Sequence, residues 1–372
     1  MSEIKFRMTV GTHVGCVRTN NEDNFITNAD LSQSDWFVPQ ETSQLIPLGK
    51  DGCIMVVADG MGGLNAGEVA SAIAVETVKS YFQNTELSSI AKSQKATEQF
   101  MRKVVIDADK EIKNHVKEHP ETKGMGTTIV ITWIYNDIAH IVWCGDSRAY
   151  VFKPSKELIR LTKDHSYVQE LVDAGKLDEN IAIDHPDSNI ITRCLGDFNG
   201  KANPDYNAYH LESGDYILLC TDGLCGICRD EEILQVLEST KDNLEQCKKQ
   251  LILRALNAGG YDNVTIALME IDTIEPETTT SSCTFFKEKD IRRIKVSAKD
   301  SNCTNKEKSV SIEDLDESKA SQLKKTTENK NRNDIKVTQM GEFQPSNGLN
   351  NKLIIILLII ILILIAISFF RN

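Results

Sequence analysis

The 372 residues exceed the usual span of one domain, and 41% hydrophobic with 26% charged residues permit a sizeable buried core. With Lys+Arg 42 against Asp+Glu 54, the net charge of −12 repels phosphate backbones, so no nucleic-acid partner is expected, and it suits a site that gathers divalent cations. The opening residues, MSEIKFRMTVGTHVG, hold no apolar secretory core, so the 10 cysteines read as reduced cytosolic thiols rather than a disulfide framework.

Along the chain, residues 54–58 (IMVVA) are a continuous apolar run, which predicts a buried strand. In 65–82 the apolar residues Ala66, Val69, Ala70, Ile73, Ala74, Val78 and Phe82 recur at helical spacing. The stretch 99–119 repeats that spacing through Phe100, Val104, Val105, Ala108, Ile112 and Val116. Strand-like runs follow at 127–135, 138–144 and 147–152, then a helix at 166–174 and a strand at 215–221. A helix at 243–257 precedes a closing strand, VTIALMEI. Antiparallel strand clusters interrupted by long helices predict an α+β fold with helices outside the sheets. An insert at 31–51 is expected to form a hairpin loop near the functional site.

Three regions separate by composition: 1–272 as a catalytic domain, 273–352 as a polar linker, and 353–370 as an apolar segment. The linker is rich in Ser, Thr, Lys, Asp, Glu and Asn, with no Trp or Tyr, and is read as disordered. Its Ser and Thr also suit phosphorylation by a kinase, although a plain tether suffices. The last segment, LIIILLIIILILIAISFF, spans roughly 27 Å as a helix and predicts a single transmembrane helix in a lipid bilayer. Lys324, Lys325, Lys330, Lys336 and Lys352 before it predict a cytoplasmic catalytic domain on a single-pass membrane protein, with a bacterial inner membrane favoured.

Five short acidic motifs stand at strand ends or turns. They are RTNNEDNF (Arg18, Glu22, Asp23), ADGMGG (Asp59, Gly60), CGDSRAY (Asp146), CTDGL (Asp222) and DNVTI (Asp262, Asn263). Asp59 ends a buried run, and such a carboxylate is costly unless paired or bound to a cation. Asp222 repeats the arrangement after ILLCT. Several Asp oxygens suit Mg²⁺ or Mn²⁺ rather than zinc. Any one Asp-Gly pair is more often a plain turn; the set and its order carry the inference.

RTNNED, ADGMGG, GTT (Gly126 to Thr128), GDSR, ITRCLGD, TDGL and DNVT together resemble, in order and spacing, the type-2C or PPM metal-dependent Ser/Thr protein phosphatases. The likeness covers about residues 8–270 and is nearest the bacterial branch, given GMGG and a flap-like stretch at 164–193. It implies a central β-sandwich of two mainly antiparallel sheets flanked by helices, in α-β-β-α layers, and two or three Mn²⁺ or Mg²⁺ ions. It implies that Asp59 bridges two ions and that the Gly60 carbonyl helps bind one. Asp222 and Asp262 would ligate one ion, Glu22 and Asp23 the other, and Asp146 would join Asp222 at a third. Arg18 would clamp the substrate phosphate. The implied chemistry is in-line attack on phosphorus by a water activated between the ions, with Asp59, Asp222 and Arg18 as the catalytic set. The implied partners are phosphorylated Ser/Thr proteins, including a Ser/Thr kinase and its targets. One departure stands out: some eukaryotic members carry a His after the metal-binding Asp-Gly, a proposed general acid, and Met61 occupies that place here. A water on the third ion, near Asp146, could protonate the leaving group instead.

The remaining candidates have plainer readings. Cys225 and Cys228 form a C-x-x-C without a second ligand pair, so structural thiols are expected rather than a zinc or redox site. His165 and His185, flanking the flap-like stretch, are expected as solvated loop residues. Three alternatives compete with a phosphatase: a phospho-recognition module without catalysis, a hydrolase acting on phosphorylated regulators of anti-sigma type, and a membrane adaptor.

Overall fold

The computed structural model of the protein describes residues 3–33, 36, 44–62, 66–197, 200–275 and 292–295. All of them fall in one compact unit, Met1–Val310. The expected transmembrane segment and most of the expected linker lie outside the described residues. Among the described residues no helix is long and apolar enough to cross a membrane.

The strands are β1 (Glu3–His13), β2 (Asn24–Asn28), β3 (Ile46–Pro47), β4 (Cys53–Ala58), β5 (Gly60–Met61), β6 (Gly126–Thr127) and β7 (Ile129–Tyr135). They continue as β8 (Ile138–Cys144), β9 (Arg148–Lys153), β10 (Glu157–Arg160), β11 (Asp205–His210), β12 (Tyr216–Cys220), β13 (Val264–Glu275) and β14 (Arg292–Lys295). The helices are α1 (Gly67–Gln83), α2 (Leu87–Ile90), α3 (Gln94–Glu118), α4 (Tyr167–Asp173), α5 (Glu179–Ala182), α6 (Asp222–Cys225), α7 (Asp230–Thr240) and α8 (Leu244–Asn257). One sheet runs β14-β10-β9-β12-β13-β1-β3 and a second β11-β8-β7-β4-β2, with β5 and β6 forming a small ribbon. Every pairing is antiparallel.

Period-two alternation sorts the side chains into layers. On β4, Ile54, Val56 and Ala58 face the core beneath α1 and α3, while Cys53, Met55 and Val57 face the core between the sheets. On β13, Ala267 and Met269 point between the sheets and Ile266 and Leu268 point to the core shared with α7 and α8. The order helix, sheet, sheet, helix follows from strands apolar on both faces, each Val, Leu or Ile so buried contributing roughly 1.5–3 kcal/mol. The apolar stripes of 65–82 and 99–119 do become α1 and α3, with Ala70, Ala74, Val78, Val104, Ala108 and Ile112 fully buried.

Two expectations about the chain's course change. The described part of the 31–51 insert does not approach the functional end. Its β3 pairs Phe6 with Ile46 near the start of β1, about 25 Å along that strand from His13. The reason is direction: β2 and β4 are antiparallel, Asn24 facing Ala58, so the connection leaves from the far end. Residues read as disordered linker also contribute a strand, because β14 pairs along the edge of β10.

Candidate metal centre

Register gathers the motifs. Asn24 stands opposite Ala58, His13 opposite Val264, Cys220 opposite Ile266, and Ile129 opposite Cys144. The residues just beyond these pairs therefore emerge at one end of both sheets. They are Arg18, Glu22, Asp23, Asp59, Gly60, Asp146, Asp222 and Asp262, so the structure brings the whole predicted set to a single edge.

Backbone bonds fix that edge. The Asp59 carbonyl accepts from Thr128 N (2.8 Å) and Thr127 Oγ1 (2.9 Å). Thr128 Oγ1 faces Asp59 N (3.1 Å) and Ser147 Oγ (2.7 Å), tying the Asp59 strand end to the Asp146 loop. Asn263 accepts from Glu22 N (2.8 Å) and donates to Val14 O and Asn20 O (2.9 Å each), which pins the Arg18 loop to the Asp262 turn. Gly60 must be glycine for packing, because a Cβ there would lie 2.3 Å from Gly67 O and 2.5 Å from Glu22 O. This gives Gly60 a second purpose besides close approach of an ion.

The electrostatics are those of carboxylates short of positive charge. Burial raises Asp59 well above the ordinary carboxylate range, and the Asp222 and Asp23 charges raise it further. Burial and then Asp222 do the same to Asp146. Burial pushes Asp23 to about 7 despite hydrogen bonds from Thr265 and Thr221. Asp222 is raised first by burial, and Glu22 by burial and then Glu68. Asp23 Oδ1, Asp146 Oδ1 and Asp222 Oδ1 are buried without a hydrogen-bond partner. Arg18 gives local relief through Nη2 to Asp262 Oδ2 at 2.7 Å, but its side chain is 51% exposed, so this screened pair is worth at most about 1 kcal/mol. Such a pair is opened at little cost.

Among the described residues no three His, Cys, Asp or Glu side chains form a group ready to hold an ion by themselves. Orphaned carboxylate oxygens, those of Asp146 and Asp222 on residues that border open space, fit a hard cation that retains several waters and takes one or two carboxylates. The donor set fits Mg²⁺ or Mn²⁺ on that basis, and zinc poorly. Met61 follows Gly60 in β5 and can donate no proton.

A cavity of about 390 Å³ opens beside this edge. Its wall includes Asp146, Asp222 and Asp262 on one side and Ser166, Glu179 and Asn189 of the flap-like stretch on the other. In the same wall Arg148, mostly buried, grips Asp164 through Nε (2.9 Å) and Nη2 (2.6 Å) and meets Asp230 at 3.3 Å. Burial raises Asp164, but Arg148 outweighs it and the pKa falls below the ordinary value.

His165 is a correction. It is not solvated but 4% exposed, stacked on Trp143 with ring centroids 6.1 Å apart. Its Nδ1 accepts from Gly145 N (3.1 Å), its backbone N donates to Gly145 O (3.0 Å), and Nε2 meets Asp205 Oδ2 at 3.1 Å. This holds the residue before Asp146 from two sides, a role that sequence reasoning missed. The Asp-His-Ser string opening the flap-like stretch was its only trace. His185 remains partly exposed, with Nδ1 accepting from Asp187 N. Cys225 and Cys228 are buried thiols, Cys225 raised by its bond with Cys220 and then by burial, Cys228 pushed by burial to about 12, as inert structural cysteines should be.

Comparison with known proteins bears directly on this geometry. The family described as Protein phosphatase 2C matches residues 43–257. The Listeria monocytogenes Serine/threonine phosphatase stp is 36% identical over 219 residues, covering 59% of this chain and 84% of that protein. Protein phosphatase PhpP of Streptococcus pneumoniae is 32% identical over 269 residues, covering 72% of this chain and 98% of PhpP. The S. agalactiae serine/threonine phosphatase structure superposes with a TM-score of 0.61 at 30% identity, over 72% of this chain and all of that one. The catalytic domain of PstP, solved in complex with 2 manganese ions, gives 0.57 at 28% identity, over 72% of this chain and 99% of that one. With the matched family spanning more than half of its length, and PhpP aligned almost end to end, the chain belongs to the protein phosphatase 2C family, in its bacterial form.

Proposed function

We propose that this chain is a metal-dependent Ser/Thr protein phosphatase whose site residues act as follows. The observation that carries the reading is the convergence of four buried carboxyls at one sheet edge, with Asp23, Asp146 and Asp222 each keeping an oxygen without a hydrogen-bond partner and Asp59 meeting Asp222. Divalent Mn²⁺ or Mg²⁺, two or three in number, would supply Lewis acidity for a water attacking phosphorus in line and would offset charge on the phosphoryl oxygens. Asp59 and Asp222, whose carboxyls meet, hold the shared wall of that site. Glu22, Asp23 and the Gly60 carbonyl would help hold one ion, Asp262 with Asp222 another, and Asp146 would join Asp222 at a third. Arg18 turns from Asp262 to the phosphate and holds it by paired donors, a geometry lysine cannot match.

We also propose that 353–370 crosses a lipid bilayer and keeps the catalytic unit on the cytoplasmic face, near phosphorylated proteins and a Ser/Thr kinase. Its uninterrupted Leu, Ile and Phe support that reading. Recovery of the full chain in the soluble fraction after an alkaline wash of membranes would contradict it.

Phosphate release from a phosphothreonine peptide by the chelator-treated full chain tests the activity. Release that begins on adding Mn²⁺ supports a phosphatase. Binding of the peptide without release, at any Mn²⁺ level, would instead mark a phospho-recognition module.

A further inference from the structure

The tail adds a strand where none is required to close the core. β14 (Arg292–Lys295) lies antiparallel on β10, with Glu157 opposite Lys295, Leu158 opposite Ile294, Ile159 opposite Arg293 and Arg160 opposite Arg292. β9 takes the other side of β10. Without β14, β10 would be an open edge with unpaired backbone groups, a template for another strand. The four residues also fit by chemistry. Ile294 is 6% exposed in the core shared with Leu158, Ile233, Leu234 and Leu237. Glu157, 8% exposed, faces Arg293 at 3.5 Å and Lys295 at 3.9 Å. A slip of one residue would turn Ile294 to solvent and an arginine into the core, so the register is specified.

β10 also reaches the flap-like stretch. Arg160, at its end and 6% exposed, bonds Glu179 Oε1 at 3.0 Å and Gln169 Oε1 at 3.5 Å. Both partners lie on the wall of the cavity beside the metal centre.

We propose that the outer edge of β10 is a strand-docking site for a basic–apolar–basic segment, that residues 292–295 of this chain are its resident occupant, and that their docking steadies residues 166–190 through Arg160. The tail therefore departs from the β10 edge rather than from the end of β13. The site recognises its ligand by strand addition, main-chain bonds giving affinity and the Ile294 pocket with the Glu157 carboxylate giving selectivity. None of this depends on the phosphatase reading.

Hydrogen exchange of the full chain tests it. Ile294→Asp should speed exchange of the amides among 157–160 that face β14 about tenfold, and that of 167–182 by less, leaving β12 unchanged as a check on the fold. A peptide of residues 290–298 added to the variant should restore slow exchange at 157–160. Should β12 also loosen, Arg293→Glu with Lys295→Glu keeps the apolar contact and should speed exchange at 157–160. Unchanged exchange at 157–160 in the variants overturns the docking site. Faster exchange that the peptide cannot reverse overturns it as a site for an exchangeable ligand, and unchanged 167–182 overturns the link through Arg160.

Discussion

Two groups of buried carboxylates lie within a few residues of one another and are treated in opposite ways. Asp164 and Asp230 share the guanidinium of Arg148, Asp230 also accepts from the Tyr150 hydroxyl, and Asp164 is held below its ordinary pKa. Asp59, Asp146 and Asp222 make no ion pair with an arginine; Arg148 offsets Asp146 and Asp222 only in part, and all three are pushed upward. A fold that pairs one arginine with Asp164 and Asp230 and yet compensates the neighbouring sheet edge only in part has left the remaining charge for something else to supply. The contrast separates a structural ion pair from a ligand site better than any single distance does.

The comparison can be broken from either side. Asp59→Asn should cut phosphate release on the order of a thousandfold while raising the melting temperature of the metal-stripped protein, because one repelling carboxylate is gone. A drop in that melting temperature would mean the carboxylates already have a partner. Arg148→Met should do the reverse. With two buried carboxylates left unpaired, urea unfolding should show a loss of about 3–5 kcal/mol, and an unchanged midpoint would remove one half of the contrast. Arg18→Lys should lower kcat/KM for a phosphopeptide roughly tenfold to a hundredfold with the melting temperature unchanged, since the screened pair with Asp262 contributes little to the fold.

The smallest effect concerns a carboxyl away from both groups. Burial raises Asp215 to about 6, only partly opposed by the Glu212 N–H it accepts and by Lys153. Its folded pKa exceeds the unfolded value near 4, so the folded state binds the extra proton between these values. Stability from this group is therefore greatest below pH about 4 and falls as pH rises through about 6, by on the order of 2 kcal/mol. Asp215→Asn should flatten the difference in unfolding free energy over that window. Parallel curves for the two proteins would refute the assignment.

Much of this could be read from residues alone, for identifiable reasons. The core strands and α1 and α3 carry long apolar periods, and the acidic motifs keep their spacing because each is tied to a strand end. β1 carries the same signal through Ile4, Phe6, Met8 and Val10, alternate residues that are all buried. His165 looked like a loop residue because its burial comes from Trp143 and Gly145, partners 22 and 20 positions away. The described part of the insert at 31–51 lies away from the metal edge, which sequence order alone does not reveal because it carries no strand direction. β14 is hidden for a similar reason: the four residues Arg-Arg-Ile-Lys are too few to show a period, and only the waiting edge of β10 makes them a strand.

The most direct test of the central claim is calorimetric titration of Mn²⁺ into the chelator-treated full chain, beside Asp59→Asn and Asp222→Asn. The account predicts at least two Mn²⁺ per wild-type chain and loss of binding in both variants, with a phosphopeptide turned over only by the loaded wild type. Mn²⁺ binding of equal strength and number in all three proteins would contradict it, because the sheet edge would then not be where the ions sit.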